Sequence, residues 1–281
     1  AMATITAVDG LKQLAMYEIN ATSYSEEASG TRVDNVLTTV GWPAGDRDID
    51  AGQSAIQSSG TLNDTQALSH LDTVLQSELG VMFVNGHGDM VFHDRHARLL
   101  DPLNVSQATY GDDSSELPYH DISFRHDDQT IYNDIRITRK DGAEQSASDS
   151  DSQNAYGERN LDRESLLMTT DAVAADFASH LLRVHKDGTM RVKSMTVLPE
   201  RDRANEYPDV LTFDISTRIT VRLNATSVDE DYIIEGVSHS VTASPQQWQT
   251  VWDLSPAETQ SFWTLGIVGL SEVGTSTYLS F

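Results

Sequence analysis

No cysteine occurs anywhere in the 281 residues. Disulfide frameworks, thiolate metal sites and cysteine nucleophiles are excluded, so stability comes from packing or from assembly. Lysine is nearly as scarce: Lys12, Lys140, Lys186 and Lys193 are the whole set, and arginine carries most of the positive charge. No stretch approaches the ~20 consecutive apolar residues that a membrane helix needs. The opening Ala1-Met2-Ala3-Thr4 has neither the basic region nor the apolar run of a secretory signal, and reads as a cloning scar or a cut from a longer chain. Catalytic signatures are missing too. There is no Gly-x-Ser-x-Gly, Ser-x-x-Lys, His-Glu-x-x-His, phosphate-binding Gly-x-x-x-x-Gly-Lys or dinucleotide Gly-x-Gly-x-x-Gly.

What is abundant is acid. The net charge of -24 argues against a general affinity for nucleic acid or anionic membranes, whose phosphates it would repel. An acidic, lysine-poor surface suits a protein working in high salt, where screening removes self-repulsion; a biased host genome is the plainer alternative. With 38% hydrophobic residues the composition is globular, and the length suffices for one large domain or two ordinary ones.

Apolar spacing along the chain outlines an α+β protein. Thr4 to Val8 alternates as a short strand, and Asp9 offers an N-cap for a helix carrying Leu11, Leu14 and Ala15. Val33, Val36, Leu37 and Val40 fall at helical spacing and end at Gly41; Trp42-Pro43 prevents continuation. Residues 45–60 read as an irregular loop. A further helix, capped by Asn63 or Asp64, carries Leu68, Leu71, Leu75 and Leu79 on one face and stops at Gly80. Val81, Phe83, Met90 and Phe92 then flank a turn, Asn85-Gly86-His87-Gly88-Asp89, and predict a hairpin.

After Pro102 the pattern is mostly β. Strands are predicted around Ile122–Phe124 and over Ile131, Ile135 and Ile137, followed by a polar loop over 141–154. A strong helix starts at Asp171, with Val173, Phe177, Ala178, Leu181 and Leu182 on one side, and closes at Lys186-Asp187-Gly188. Alternating strands resume at Val192–Val197, Ile219–Leu223, Tyr232–Val237 and Trp248–Leu254. The expected fold is a small α/β unit (1–102), then an antiparallel β-barrel-like or sandwich domain (103–256) crossed by one helix (171–185), then a C-terminal segment (257–281).

Candidate chemistry is thin. His87, His93 and His96 are the nearest approach to a metal cluster, but on an extended strand His93 and His96 face opposite ways and His87 sits in a turn. Asp149-Ser150-Asp151-Ser152-Gln153-Asn154 has the oxygens of a calcium loop without its central glycine or distal glutamate. Asp229-Glu230-Asp231 reads as a turn before a strand. Trp42, Trp248, Trp252 and Trp263 are candidates for stacking on sugars, although two alternate on one strand and suit a core. No catalytic, cofactor-binding or metal-binding residue is assigned.

One collinear series of short patterns stands out. It runs Arg32-x-x-x-Val36-Leu37-x-x-x-Gly41-Trp42-Pro43, Arg47-Asp48-Ile49-Asp50-x-Gly52, and Gly80-Val81-Met82-Phe83 to Met90-Val91-Phe92-x-x-Arg95. It continues with Tyr156-Gly157-Glu158-Arg159, Asp231-Tyr232-Ile233-Ile234-Glu235-Gly236-Val237-x-His239, and Trp248-x-x-x-Trp252-x-Leu254-Ser255-Pro256. It closes on Phe262-Trp263-x-Leu265-Gly266, Leu270-Ser271 and Gly274-Thr275-Ser276-Thr277. In this order it resembles the minor tail proteins of long-tailed (siphovirus-type) phages, particularly those of actinobacterial hosts, which are related to baseplate hub and tail-associated proteins. The resemblance implies a non-enzymatic structural component of the virion's tail tip, assembled in the host cytoplasm as a trimer or hexamer. Its implied partners are other tail proteins: distal tail protein, tape measure, tube or fibre proteins. It implies no cofactor, no nucleic-acid binding and no membrane insertion. Family members usually carry a further N-terminal portion, so the chain is expected to begin partway into the pattern. Two alternatives stand beside this reading, a receptor- or carbohydrate-binding module of the tail and a tail-borne cell-wall hydrolase.

Overall fold

The computed structural model describes residues 5–126, 130–188, 190–243, 246–257, 261–263 and 277–279. It divides into two compact units, each assembled from separate stretches: unit 1 from 1–97 with 131–187, unit 2 from 98–130 with 188–281. The expected boundary near residue 102 therefore cuts the chain once where the units interleave. The segment 131–187, with the helix expected to cross the β-domain, packs into unit 1.

Unit 1 contains α1 (Leu11–Met16), α2 (Ser29–Val40), α3 (Ala67–Glu78), α4 (Ser150–Tyr156) and α5 (Asp171–His185). α2 forms as its spacing predicts: Val33, Val36, Leu37 and Val40 are buried, and Gly41 ends the helix at φ 81°. α1 is not capped by the Asp9 side chain; Gly10 occupies the N-cap and supplies no side-chain bond. α3 differs more. It begins at Ala67 rather than beside Asn63 or Asp64, and its buried stripe is Ala67, His70, Leu71, Val74, Ser77 and Glu78. Three of those residues are polar, so counting leucines places the inner face off by about one position.

The expected hairpin forms, Val81–Val84 pairing with Met90–His93, and Arg47–Ile49 joins it as a parallel third strand inside the stretch expected to be loop. A second three-stranded sheet has Asp134–Arg139 at its centre, antiparallel to Glu144–Ser148 and parallel to Asn160–Leu166. α5 packs on its first two strands.

The polar stretch 141–154 is thus ordered within the chain: Glu144–Ser148 is strand, and Asp149 caps α4 by accepting from the amides of Asp151 and Ser152. Gly157 follows α4 at φ 78°. The two stretches of unit 1 are tied by Gln57 N–H donating to Leu167 O at 2.8 Å and Leu167 N–H donating to Ser77 Oγ at 2.8 Å.

Unit 2 is built on one curled six-stranded sheet, a half-barrel. Its strands are β1 (Thr109–Gly111), β2 (Asp121–His126), β3 (Met190–Val197), β4 (Arg218–Leu223), β5 (Val228–Ala243) and β6 (Gln246–Pro256). They lie in the order β1-β4-β5-β6-β3-β2, and every pairing is antiparallel except the β1 edge, which runs parallel to β4. Tyr110, Val192, Met195, Val197, Ile219, Val221, Tyr232, Ile234 and Trp252 form its core. One helix, α6 (Arg203–Thr212), lies on this unit and was not expected. It contains Pro208 and buries only Glu206 and Val210, so it has no apolar stripe to betray it. Of the segment 257–281, Ser261–Trp263 pairs parallel with Thr277–Leu279; the rest of it beyond Ala257 lies outside the described residues.

Candidate functional site

Two buried polar clusters organise unit 1. Arg32 on α2 is fully buried and donates from Nε to Glu27 Oε1 at 2.5 Å and from Nη2 to the carbonyls of Ser25 and Gln57. Its guanidinium lies 5.2 Å from the Tyr24 ring, which stacks on His70. Burial first, then the charges of Arg32 and Lys140, hold the His70 imidazole neutral down to about 4. On α3, Glu78 is fully buried and accepts from Ser29 Oγ at 2.8 Å, Ser54 N at 2.7 Å and Gln53 N at 3.2 Å. A carboxylate satisfied this fully pins the loop before Ala55 and has no open lone pair facing solvent. These clusters hold structure together.

In unit 2, α6 brings two carboxylates to the sheet. Tyr110 on β1 donates its hydroxyl to Asp209 Oδ2 at 2.8 Å. Burial, reinforced by the charge and hydrogen bond of Asp209, pushes the Tyr110 hydroxyl up. Glu206, one turn earlier, is 1% exposed. Burial first and then the charges of Asp202 and Asp209 push its carboxyl up to about 7, against the pull of Arg201. Its Oε2 and the Trp252 indole N–H have no hydrogen-bond partner among the described residues. Glu206 thus has the perturbed pKa of a general acid without the access to a substrate that such work needs. Beside α6, Trp248 is half-buried and meets Tyr207 and His239 edge-on at 5.4 and 5.7 Å.

The residues singled out by sequence are scattered. His87 is exposed in the hairpin turn, where its amide donates to Asn85 Oδ1. His93 packs its ring edge against Phe83 at 5.6 Å. Burial lowers the pKa of His96, with Arg95 adding to the effect. Among the described residues, no three His, Asp or Glu side chains stand where they could share a metal ion.

Asp149, the head of the supposed calcium loop, is spent as the α4 cap and pairs with Lys186 at 3.2 Å. Asp229-Glu230-Asp231 is part of β5 itself rather than a turn: Asp229 takes Arg222, Glu230 takes Tyr232, and Asp231 takes Arg218 and Thr220. Trp42 and Trp252 are core residues, whereas the side chain of Trp263 lies outside the described residues. Sequence reasoning missed Arg32, His70 and Glu78 as buried polar groups. Their only signal is that each shares a helix face with buried aliphatics.

The exposed surface offers two features. In unit 1 an open cavity of about 620 Å³ is lined by Val8, Gln13, Met16 and Tyr17 among others. In unit 2 the β5–β6 hairpin is exposed along all of Ser238–Ala243, with Val241 68% exposed.

No protein-family profile and no curated protein matches the sequence. The fold is similar to that of a 43 kDa tail protein of prophage MuSo2 from Shewanella oneidensis, with TM-score 0.59 and 16% identity, over 88% of this chain and 69% of that one. It is similar as well to a tail protein from Neisseria meningitidis MC58, with TM-score 0.63 and 10% identity, over 88% of this chain and 72% of that one. A chain in the virion of a native gene transfer agent particle aligns with TM-score 0.54 and 13% identity, over 81% of this chain and 47% of that one. The chain has the fold of phage tail proteins.

Proposed function

We propose that this protein is a non-enzymatic structural component of a phage tail tip, related to baseplate hubs and assembling with other tail proteins around the tail axis. The observation that carries the reading is likeness of fold across most of the chain to tail proteins of two bacteria. The internal chemistry is in keeping with it: the buried Arg32 and Glu78 are committed to pairing and to pinning backbone. A ring of three or six copies suits a part built around an axis.

Immunogold labelling of the particles whose genome encodes the chain tests the reading. Gold confined to the distal end of the tail is expected; absence from purified particles, or label on the capsid, overturns it. A carbohydrate-binding role has one observation in its favour, the half-exposed Trp248 beside Tyr207. Binding of cell-wall glycans that is lost in Trp248→Ala would establish that role.

A further inference from the structure

α6 is held to the half-barrel at few points. Of its ten residues only Glu206 and Val210 are buried. Asp209 adds the hydrogen bond from Tyr110, and Tyr207 meets the Trp248 ring edge-on. The helix also supports itself poorly. Pro208 sits in its interior and removes the amide that would bond to the carbonyl of Ala204. Asp202 takes the N-cap position without a side-chain capping bond, and Leu211 is 68% exposed. A short helix of this kind stays in place through what it buries, not through its own propensity.

One of its two anchors is a carboxyl. Glu206 is 1% exposed, and its Oε2 has no hydrogen-bond partner among the described residues. Beyond burial itself, the groups that act on it are Asp202 and Asp209, which repel its charged form, and Arg201, which attracts it. Tyr110 on β1 is the titratable group that it faces on the sheet, and that hydroxyl is spent on Asp209. Glu200 and His239 are engaged with Trp248: the one accepts from its amide, the other meets its ring. The seat of Glu206 therefore fits a neutral carboxyl and penalises a carboxylate.

We propose that α6 is a pH-operated latch, docked on the six-stranded sheet while Glu206 is protonated and released from it when Glu206 ionises. Release bares the seat of Val210 and the Tyr110 hydroxyl without unfolding the sheet. Once released, Glu206 is solvated and returns to its ordinary 4.5, against about 7 when docked. The docked helix is thus fully favoured below 4.5, and that advantage is lost as pH rises through about 7. From these two values the opening constant rises about tenfold between pH 6 and pH 8. Asp209, whose carboxyl burial also raises, works in the same direction. The device is a property of unit 2 and does not depend on the tail reading.

Hydrogen exchange of the full chain at pH 6 and pH 8, corrected for the intrinsic pH dependence of exchange, tests the proposal. The amides of 206–213 should lose about tenfold of their protection between the two pH values. At both they should exchange at least tenfold faster than those of Ile219–Leu223 on β4, since the helix opens by itself. Glu206→Gln should remove most of the pH dependence, and His239→Gln should leave it intact.

Protection of 206–213 that does not change with pH in the wild type overturns the proposal. So does a pH dependence that survives in Glu206→Gln or disappears in His239→Gln, because the trigger then lies elsewhere. Equal protection of 206–213 and 219–223 overturns it too, because α6 would then leave only when the whole unit unfolds.

Discussion

Arg98 grips Glu235 with two parallel hydrogen bonds, Nη1 to Oε1 at 2.7 Å and Nη2 to Oε2 at 2.9 Å, between residues 137 positions apart. Arg98 Nε also donates to Ser216 Oγ, and Ser255 Oγ donates to Glu235 Oε1. Burial alone would raise the Glu235 carboxyl, but Arg98 and Ser255 outweigh it and hold it below its ordinary value of 4.5. A cycle of Arg98→Met and Glu235→Gln should give a coupling of about 1 kcal/mol at neutral pH, modest because both side chains are partly exposed. Because the folded pKa is depressed, the coupling is complete above 4.5 and fades as pH falls through the folded value. Urea denaturation of the four proteins at neutral and acid pH checks both statements.

The two units should respond to pH in opposite directions through their buried groups. Glu206 in unit 2 is raised from 4.5 to about 7, so its contribution to stability is complete below 4.5 and is lost as pH rises through about 7. His70 and His180 in unit 1 are lowered from 6.5 to about 4, burial being the chief cause, so theirs is complete above 6.5 and is lost as pH falls toward 4. Trp42 reports on unit 1, and Trp248 and Trp252 on unit 2. Glu206→Gln should therefore raise the urea midpoint seen by the unit 2 tryptophans at about pH 8 and leave it nearly unchanged at about pH 4. An equal effect at both pH values contradicts the assignment.

Arg32→Met should destabilise unit 1 by about 3–5 kcal/mol, since it strands Glu27 and the carbonyls of Ser25 and Gln57 without their donor. Adding Glu27→Gln to that variant should recover part of the loss. Denaturant midpoints read from Trp42 fluorescence decide it; a cost below about 1 kcal/mol would mean that water replaces the arginine.

Two glycines with similar backbones should behave differently. Gly41 has φ 81° and open space around a Cβ, so Gly41→Ala should cost about 1 kcal/mol of backbone strain alone. At Gly52, φ 85°, a Cβ would lie 1.9 Å from Ser29 Oγ and 2.7 Å from Gly30 N. Gly52→Ala should cost several times as much and dislodge Ser29 from Glu78. Thermal unfolding of the pair makes the comparison.

Local patterning made α2, the Val81–His93 hairpin, α5 and the central strands of unit 2 legible, because each carries its own apolar period. α4 was hidden because a capped polar helix and a polar loop share a composition; the Asp149 cap was its local signal. α6 was hidden because it buries a glutamate and a valine and contains a proline. The inner face of α3 was misplaced because His70, Ser77 and Glu78 are buried by long-range partners that no local window contains. The interleaving of the units escaped for the same reason: hydrophobic period says which face is inside, not which distant strand it faces.

That interleaving has a consequence for the chain as it leaves the ribosome. β1 and β2 emerge with residues 98–130, yet β1 waits for β4, Thr109 lying opposite Thr220, and β2 waits for β3, Asp121 lying opposite Thr196. At roughly 5–20 residues per second the wait is on the order of 10 s, during which residues 131–187 arrive and complete the first unit. A nascent chain exposed only as far as residue 187 therefore carries all of the first unit and two strands whose sheet partners have not yet emerged. Growing chains crowded on one messenger are the form of this protein most exposed to aggregation, and slower initiation or cooler growth should raise the soluble yield more than changes to the finished surface.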